Sequence, residues 1–169
     1  MSRQAIEGAR SELRLTLEKL IEEAKEVVDG YWIEWRLTNS QLREREKQTN
    51  APEGYLRGNI APRITERTGK TYIEWLVYGP GRYGGRQKSW GERIAPRKGP
   101  VYHMSQFQKK AQPWELELIE QAEMKLRPLR YAIENVHGSQ AYLSRLLSKM
   151  KDAGETDEAE EIEVEVNNG

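Results

Sequence analysis

Eight residues that could bind a polyanion crowd into residues 82–98: Arg82, Tyr83, Arg86, Lys88, Trp90, Arg93, Arg97 and Lys98. They lie in and after a glycine-rich run, Gly79-Pro80-Gly81-Arg82-Tyr83-Gly84-Gly85. Cations of this kind neutralise phosphates, and planar rings and guanidinium groups stack on bases or enter a minor groove. Glycine lets the backbone approach a duplex closely. The pattern predicts a β-ribbon or wing that contacts DNA. The same run matches G-x-G-x-x-G letter for letter. A dinucleotide cradle needs a helix N-terminus directly after the glycines, and residues 85–90 read as extended chain, so the match is accidental. No Gly-Lys-Ser/Thr ends the run, which excludes a Walker phosphate loop.

Other chemistry is sparse. There is no cysteine, hence no disulfide, thiolate zinc site or thiol nucleophile. The two histidines, His103 and His137, are far apart in sequence and lack metal-ligand spacing. Glu74 and Glu92 flank the glycine loop, but two carboxylates in a basic region read as ion-pair partners. We expect no enzymatic activity, no cofactor and no bound metal.

The 27 basic and 27 acidic residues cancel in number but not in place. Residues 40–110 carry a net charge of +9 and residues 151–169 a net charge of −7. A basic middle points to a polyanionic partner. The chain of 169 residues suits one domain over 1–151, with a basic β-region over 55–98 and an acidic, disordered tail over 152–169. No apolar run is long enough to cross a membrane and no signal-peptide core opens the sequence, so a cytoplasmic location is expected.

The elements that must carry the basic residues follow from periodicity. Leu13, Leu17, Leu20, Ala24, Val27, Tyr31 and Trp35 recur at helical steps and predict an amphipathic helix over 4–36. The polar stretch 37–54 reads as a connection. Residues 71–78, TYIEWLVY, form the clearest strand, with Thr71, Ile73, Trp75 and Val77 on its core face. A preceding strand contains Pro62, which places it at a sheet edge, and 87–97 can return as a third strand. Helix resumes at Pro113, is expected to kink at Pro128, to end at His137-Gly138-Ser139, and to restart over 140–151. The fold class is α+β: a long N-terminal helix, a three-stranded antiparallel meander, and two to three C-terminal helices.

One family shows a similar order of features. Tyr31-Trp32-x-x-Trp35 comes first, then Tyr72-Ile73-Glu74-Trp75, then Gly99-Pro100-Val101-Tyr102. Trp114-Glu115-x-Glu117-Leu118 and Leu126-Arg127-Pro128-Leu129-Arg130 complete the series. Over about residues 20–150 the chain resembles the MobI-type conjugative transfer proteins of integrative elements and large plasmids. The resemblance implies an auxiliary factor acting at the origin of transfer beside a separate relaxase, and it supplies no catalytic residues. Relaxases need clustered histidines and a nucleophilic tyrosine, and this chain lacks the cluster.

These lines converge on a DNA-binding accessory protein of conjugative transfer. Its expected partners are double-stranded DNA of the origin region, a relaxase and a second copy of itself, with no membrane contact. Two other classes fit less well. A transcriptional regulator could use the hairpin as a wing, but no helix-turn-helix pair with a basic second helix is readable. A protein-interaction adaptor leaves the basic middle without a purpose.

Overall fold

The computed structural model describes residues 2–50, 56–78 and 91–167, with side chains described as far as Gly154. The first helix, α1, runs over Ser2–Thr49. Its predicted inner stripe is real: Leu17, Ala24, Val28 and Tyr31 are buried. Its end is not where polarity suggested, because residues 37–49 are helical. Arg, Glu, Lys and Gln are straight-chain helix formers that lose little rotamer freedom there. Lys47 pairs with Glu44 one turn back at 3.0 Å. The hydroxyls of Thr38 and Thr49 donate to the carbonyls of Glu34 and Arg45, both at 2.9 Å. The polar run thus marks a mostly exposed stretch of helix, with Glu46 buried, rather than a connection.

Three antiparallel strands follow: β1 Ile60–Arg67, β2 Lys70–Val77 and β3 Glu92–Ile94, in the order β1-β2-β3. The β1–β2 register pairs Pro62 with Trp75, Arg63 with Glu74 and Arg67 with Lys70. The turn between them is two residues, Thr68 at φ 50° and Gly69 at φ 74°. Two positive φ values match the twist of the flanking strands, and glycine meets the second at no steric cost. Pro62 sits on an edge strand, as its missing N–H requires. Its carbonyl accepts the indole N–H of Trp32 at 2.8 Å.

The third strand is shorter than the 87–97 reading; residues 87–90 lie outside the described part of the chain. It stops at Ile94 for three reasons. Pro96 has no N–H to pair, the Ala95 carbonyl accepts the Gln106 amide at 2.7 Å, and Lys98 and Val101 bridge across Gly99 at φ 58°.

A short 3-10 turn, Met104–Gln106, leads to α2, Pro113–Asn167. Pro113 takes the first helical position, as expected. The expected break and restart do not occur: α2 is continuous, so there is one C-terminal helix rather than two or three. Pro128 removes one backbone bond at an exposed turn, where the Met124 carbonyl can turn to water. Gly138 lacks the positive φ that would end the helix. The acidic segment from Asp152, expected to be disordered, is helical as far as Asn167. Its alanines and glutamates favour helix locally, a preference that hydrophobicity and net charge do not register.

The chain divides into two compact units. One comprises residues 1–19 and 134–169, where Ala9, Leu13 and Thr16 of α1 and Gly138, Ser139 and Leu143 of α2 line a shallow cleft. The other comprises residues 20–133 and holds the sheet. Its core is built from Tyr31, Ile60, Ile73, Trp75, Tyr102, Phe107, Ile119 and Leu126.

Candidate nucleic-acid interface

Strand alternation gives the sheet two faces of different character. Ile73 and Trp75 point to the core, as predicted, and both are buried. Trp75 meets the Tyr31 and Phe107 rings edge-on at 5.2 and 5.5 Å. Its indole N–H donates to Glu123 Oε1 of α2 at 2.7 Å. Arg130, two turns along α2, holds the same carboxylate through two bonds of 2.6 and 3.2 Å. Its Nε donates to the Ile73 carbonyl at 3.0 Å, which β3 is too short to reach. Its Nη1 reaches the Pro100 carbonyl at 3.3 Å, and its guanidinium lies 4.8 Å over the Tyr102 ring. Charge, hydrogen bonds and ring face are all used, which is what a buried ion pair needs.

The opposite face of β2 is also covered, contrary to the one-sided strand expected: Glu74 and Leu76 are buried. Glu74 is surrounded by arginines. Arg67 Nη2 lies 2.6 Å and Arg93 Nε 2.7 Å from its Oε1, and Arg63 Nη2 lies 3.5 Å from its Oε2. The carboxylate is only 2% exposed, whereas the three arginine side chains are 42–47% exposed. Glu74 is therefore covered by its own partners rather than sunk in the core. Burial pushes its carboxyl up, but the hydrogen bond from Arg67 and the charges of Arg67 and Arg93 outweigh this. The net effect holds it below the usual carboxylate range, so it is ionised at neutral pH. Arg67 also stacks over the Tyr72 ring at 4.3 Å. The result is one carboxylate, three half-open guanidinium groups and an adjacent exposed Lys70 on one face of the three-stranded sheet.

A third carboxylate fixes the entry to the sheet. Glu115 is fully buried at the start of α2. Its Oε2 accepts the Trp35 indole N–H and the Ile60 amide, both at 2.9 Å, and its Oε1 accepts the Gln112 amide at 3.3 Å. Burial raises its carboxyl above the usual range despite these donors. Burial, reinforced by Glu115 and Glu34, also pushes the Tyr31 phenol strongly up, and its hydroxyl donates to the Ile60 carbonyl at 2.7 Å. Gly58 passes so close that a Cβ there would overlap the Glu115 carboxylate and stand 2.8 Å from the Trp114 ring. The helical extension of α1 grips the same segment: Asn39 Oδ1 accepts the Gly58 amide at 2.8 Å, and Glu46 pairs with Arg57 at 3.1 Å.

Of the residues expected to bind DNA, Arg82, Tyr83, Arg86, Lys88 and Trp90 lie outside the described residues. Arg93 belongs to the Glu74 cluster. Arg97 and Lys98 are exposed in the turn after β3. The sequence reading did not single out Arg63 and Arg67. Arg63 pairs directly with Glu74 and lies four residues before Arg67 on the same face of β1; the strand spacing was readable, the register that meets Glu74 was not. Glu92 pairs with Val77 and so sits on the face opposite Glu74, which keeps the two carboxylates apart. Among the described residues no three His, Asp or Glu side chains are grouped to hold a metal ion, and no helix is long and apolar enough to cross a membrane.

No curated protein and no solved structure matches the chain. The model of the MobI protein family matches residues 20–144, which takes in the sheet and the Glu74, Glu115 and Glu123 sites. The match spans well over half of the chain and agrees with the resemblance seen in its aromatic positions, so the chain belongs to the MobI family and is a conjugative mobilisation protein.

Proposed function

We propose that this protein is a non-enzymatic, DNA-binding accessory factor of conjugative transfer that recognises the origin-of-transfer region and assists relaxosome assembly beside a separate relaxase. The observation that carries the reading is the half-exposed arginine face of the sheet, Arg63, Arg67 and Arg93 around Glu74. It lies within the segment of net charge +9, whose glycine-rich loop holds five more candidate DNA-binding residues. Phosphate contacts of this kind give affinity and register on a duplex, while sequence is read at base edges or through DNA shape. The protein supplies the DNA-recognition step, and strand cleavage belongs to the relaxase.

The test is a titration of the full chain with origin-region duplex and with unrelated duplex of equal length, at two salt concentrations. The reading predicts tighter binding to the origin duplex and a steep fall of affinity for both duplexes as salt rises. Equal, salt-insensitive binding to both, or no binding to either, contradicts it.

A further inference from the structure

The Glu74 cluster has an uneven balance of donors and acceptors. One carboxylate meets three guanidinium groups, each with five N–H donors. Glu74 takes one hydrogen bond from Arg67 and close approaches from Arg93 and Arg63. Arg63 Nε and Glu74 Oε2 are both buried without a hydrogen-bond partner among the described residues, while the three arginine side chains keep 42–47% of their surface open. The cluster holds its cations in place without consuming them. By contrast, Arg130 directs its donors to Glu123, Ile73 and Pro100.

We propose that Arg63, Arg67 and Arg93 form one phosphate-binding cluster for the backbone of duplex DNA, with Glu74 as the positioning residue that holds the three guanidinium groups together. The inference rests on the DNA-binding reading above and deepens it. Two observations select the duplex. The guanidinium groups converge on a single oxygen pair, which suits neighbouring phosphate oxygens rather than base edges. The aromatic rings beside them are already covered: Tyr72 by Arg67, and Trp32 by Arg36 at 4.9 Å. Single-strand binding relies on open rings on which bases stack; here Tyr72 carries the Arg67 guanidinium on its face and Tyr78 packs edge-on against the Trp32 ring at 5.5 Å.

The role of Glu74 makes a prediction opposite in sign to simple charge counting. Removing one negative charge near a phosphate should tighten binding about twofold in screened water. Releasing a rotamer-rich arginine to be re-ordered on binding weakens it by about twofold to tenfold per side chain. With at least two arginines released, the second effect wins.

The experiment measures affinity for one duplex and for its single strand, at several salt concentrations, with wild type, Glu74→Gln, Glu74→Asp and the triple variant Arg63→Ala/Arg67→Ala/Arg93→Ala. Thermal unfolding of each variant scores the fold. Wild type should prefer duplex. In the triple variant the salt slope should be shallower by about 0.9 for each phosphate that an arginine no longer neutralises. Glu74→Gln should bind duplex about fivefold more weakly, with Glu74→Asp in between. Tighter or unchanged binding by a folded Glu74→Gln overturns the positioning role. If Glu74→Gln does not fold, Glu74→Asp decides, and wild-type affinity and slope in that variant overturn it. A folded triple variant that binds duplex like wild type overturns the phosphate cluster but leaves the DNA-binding reading standing. Equal affinity for the single strand overturns the choice of duplex. No binding by wild type overturns both readings.

Discussion

Two arginine–carboxylate constellations sit on opposite faces of the same strand, and they are built for opposite ends. In the core, Glu123 and Arg130 are matched one to one, and each of the three Arg130 nitrogens donates to an acceptor. On the outer face, one Glu74 serves three arginines that stay nearly half exposed. A matched pair joins α2, β2 and the 99–102 connector into one unit. An unmatched cluster leaves positive charge over. The ratio of partners and their exposure, not the residue types, separates a structural ion pair from a surface that can take a ligand.

The largest effect should come from breaking the matched pair. Arg130→Ala leaves the buried Glu123 with the Trp75 indole as its one hydrogen-bond donor among the described residues, and should cost about 3–5 kcal/mol in chemical unfolding. Replacing both partners with apolar residues of similar size should cost much less, because no charge is then left behind. If the single and double changes are equally damaging, the packing of Arg130 matters more than its pairing.

Next comes the strand entry. Gly58→Ala forces a methyl group against the Glu115 carboxylate and the Trp114 ring, and should destabilise by about 1–3 kcal/mol. Gly138→Ala, where a Cβ meets nothing within 4 Å, is the matched control. It should be neutral or stabilising, since alanine favours helix over glycine. Thermal unfolding of the two variants side by side checks both.

The outer cluster should behave in the reverse way to the core pair. Arg67→Ala or Arg93→Ala alone removes a half-exposed partner of Glu74 and should change stability by about 1 kcal/mol or less. A loss as large as that of Arg130→Ala would remove the contrast between the two faces.

The smallest effect is in the pH dependence. The Glu74 carboxyl titrates lower in the folded chain than in the unfolded one. The stability it contributes is therefore present above the unfolded carboxylate value of about 4.3 and is lost as pH falls through the folded value. Glu115 is shifted the other way, so the folded state holds its proton longer, and its contribution falls as pH rises through the raised folded value. Urea unfolding across acidic pH should show Glu74→Gln losing its difference from wild type as pH drops. Glu115→Gln should instead lose the component that weakens with rising pH.

The elements that carry this contrast were legible in the sequence and the contrast itself was not, for reasons that particular residues make plain. The β2 strand and its Ile73–Trp75 core face follow from two-residue alternation, and Pro62 marks the edge. The α1 stripe follows from three- and four-residue spacing. The helix ends were not legible. Residues 37–49 are polar because one side is solvated while Asn39 and Glu46 hold the 57–58 segment, and Pro128 and Gly138 are breakers only where the surroundings cannot absorb them. The Glu74 cluster depends on cross-strand register, which brings Arg63, Arg67 and Arg93 to one carboxylate from three strand positions. Linear charge counting found the basic region, singled out Arg93 and read Glu74 as an ion-pair partner, but could not show that Glu74 gathers Arg63 and Arg67 as well. Glu115 stood in the sequence as part of a family motif; its role in holding Trp35 and Ile60 comes from partners 80 and 55 residues away.

The central claim is that the two arginine faces differ in function, and one measurement addresses it directly. The Nε–H signals of Arg67, Arg93 and Arg130 can be followed by NMR while duplex DNA is titrated into the full chain. The signals of Arg67 and Arg93 should shift and saturate with the duplex while that of Arg130 stays in place. Movement of Arg130 with Arg67 and Arg93 unmoved, or no movement of any of the three at saturating duplex, contradicts the claim.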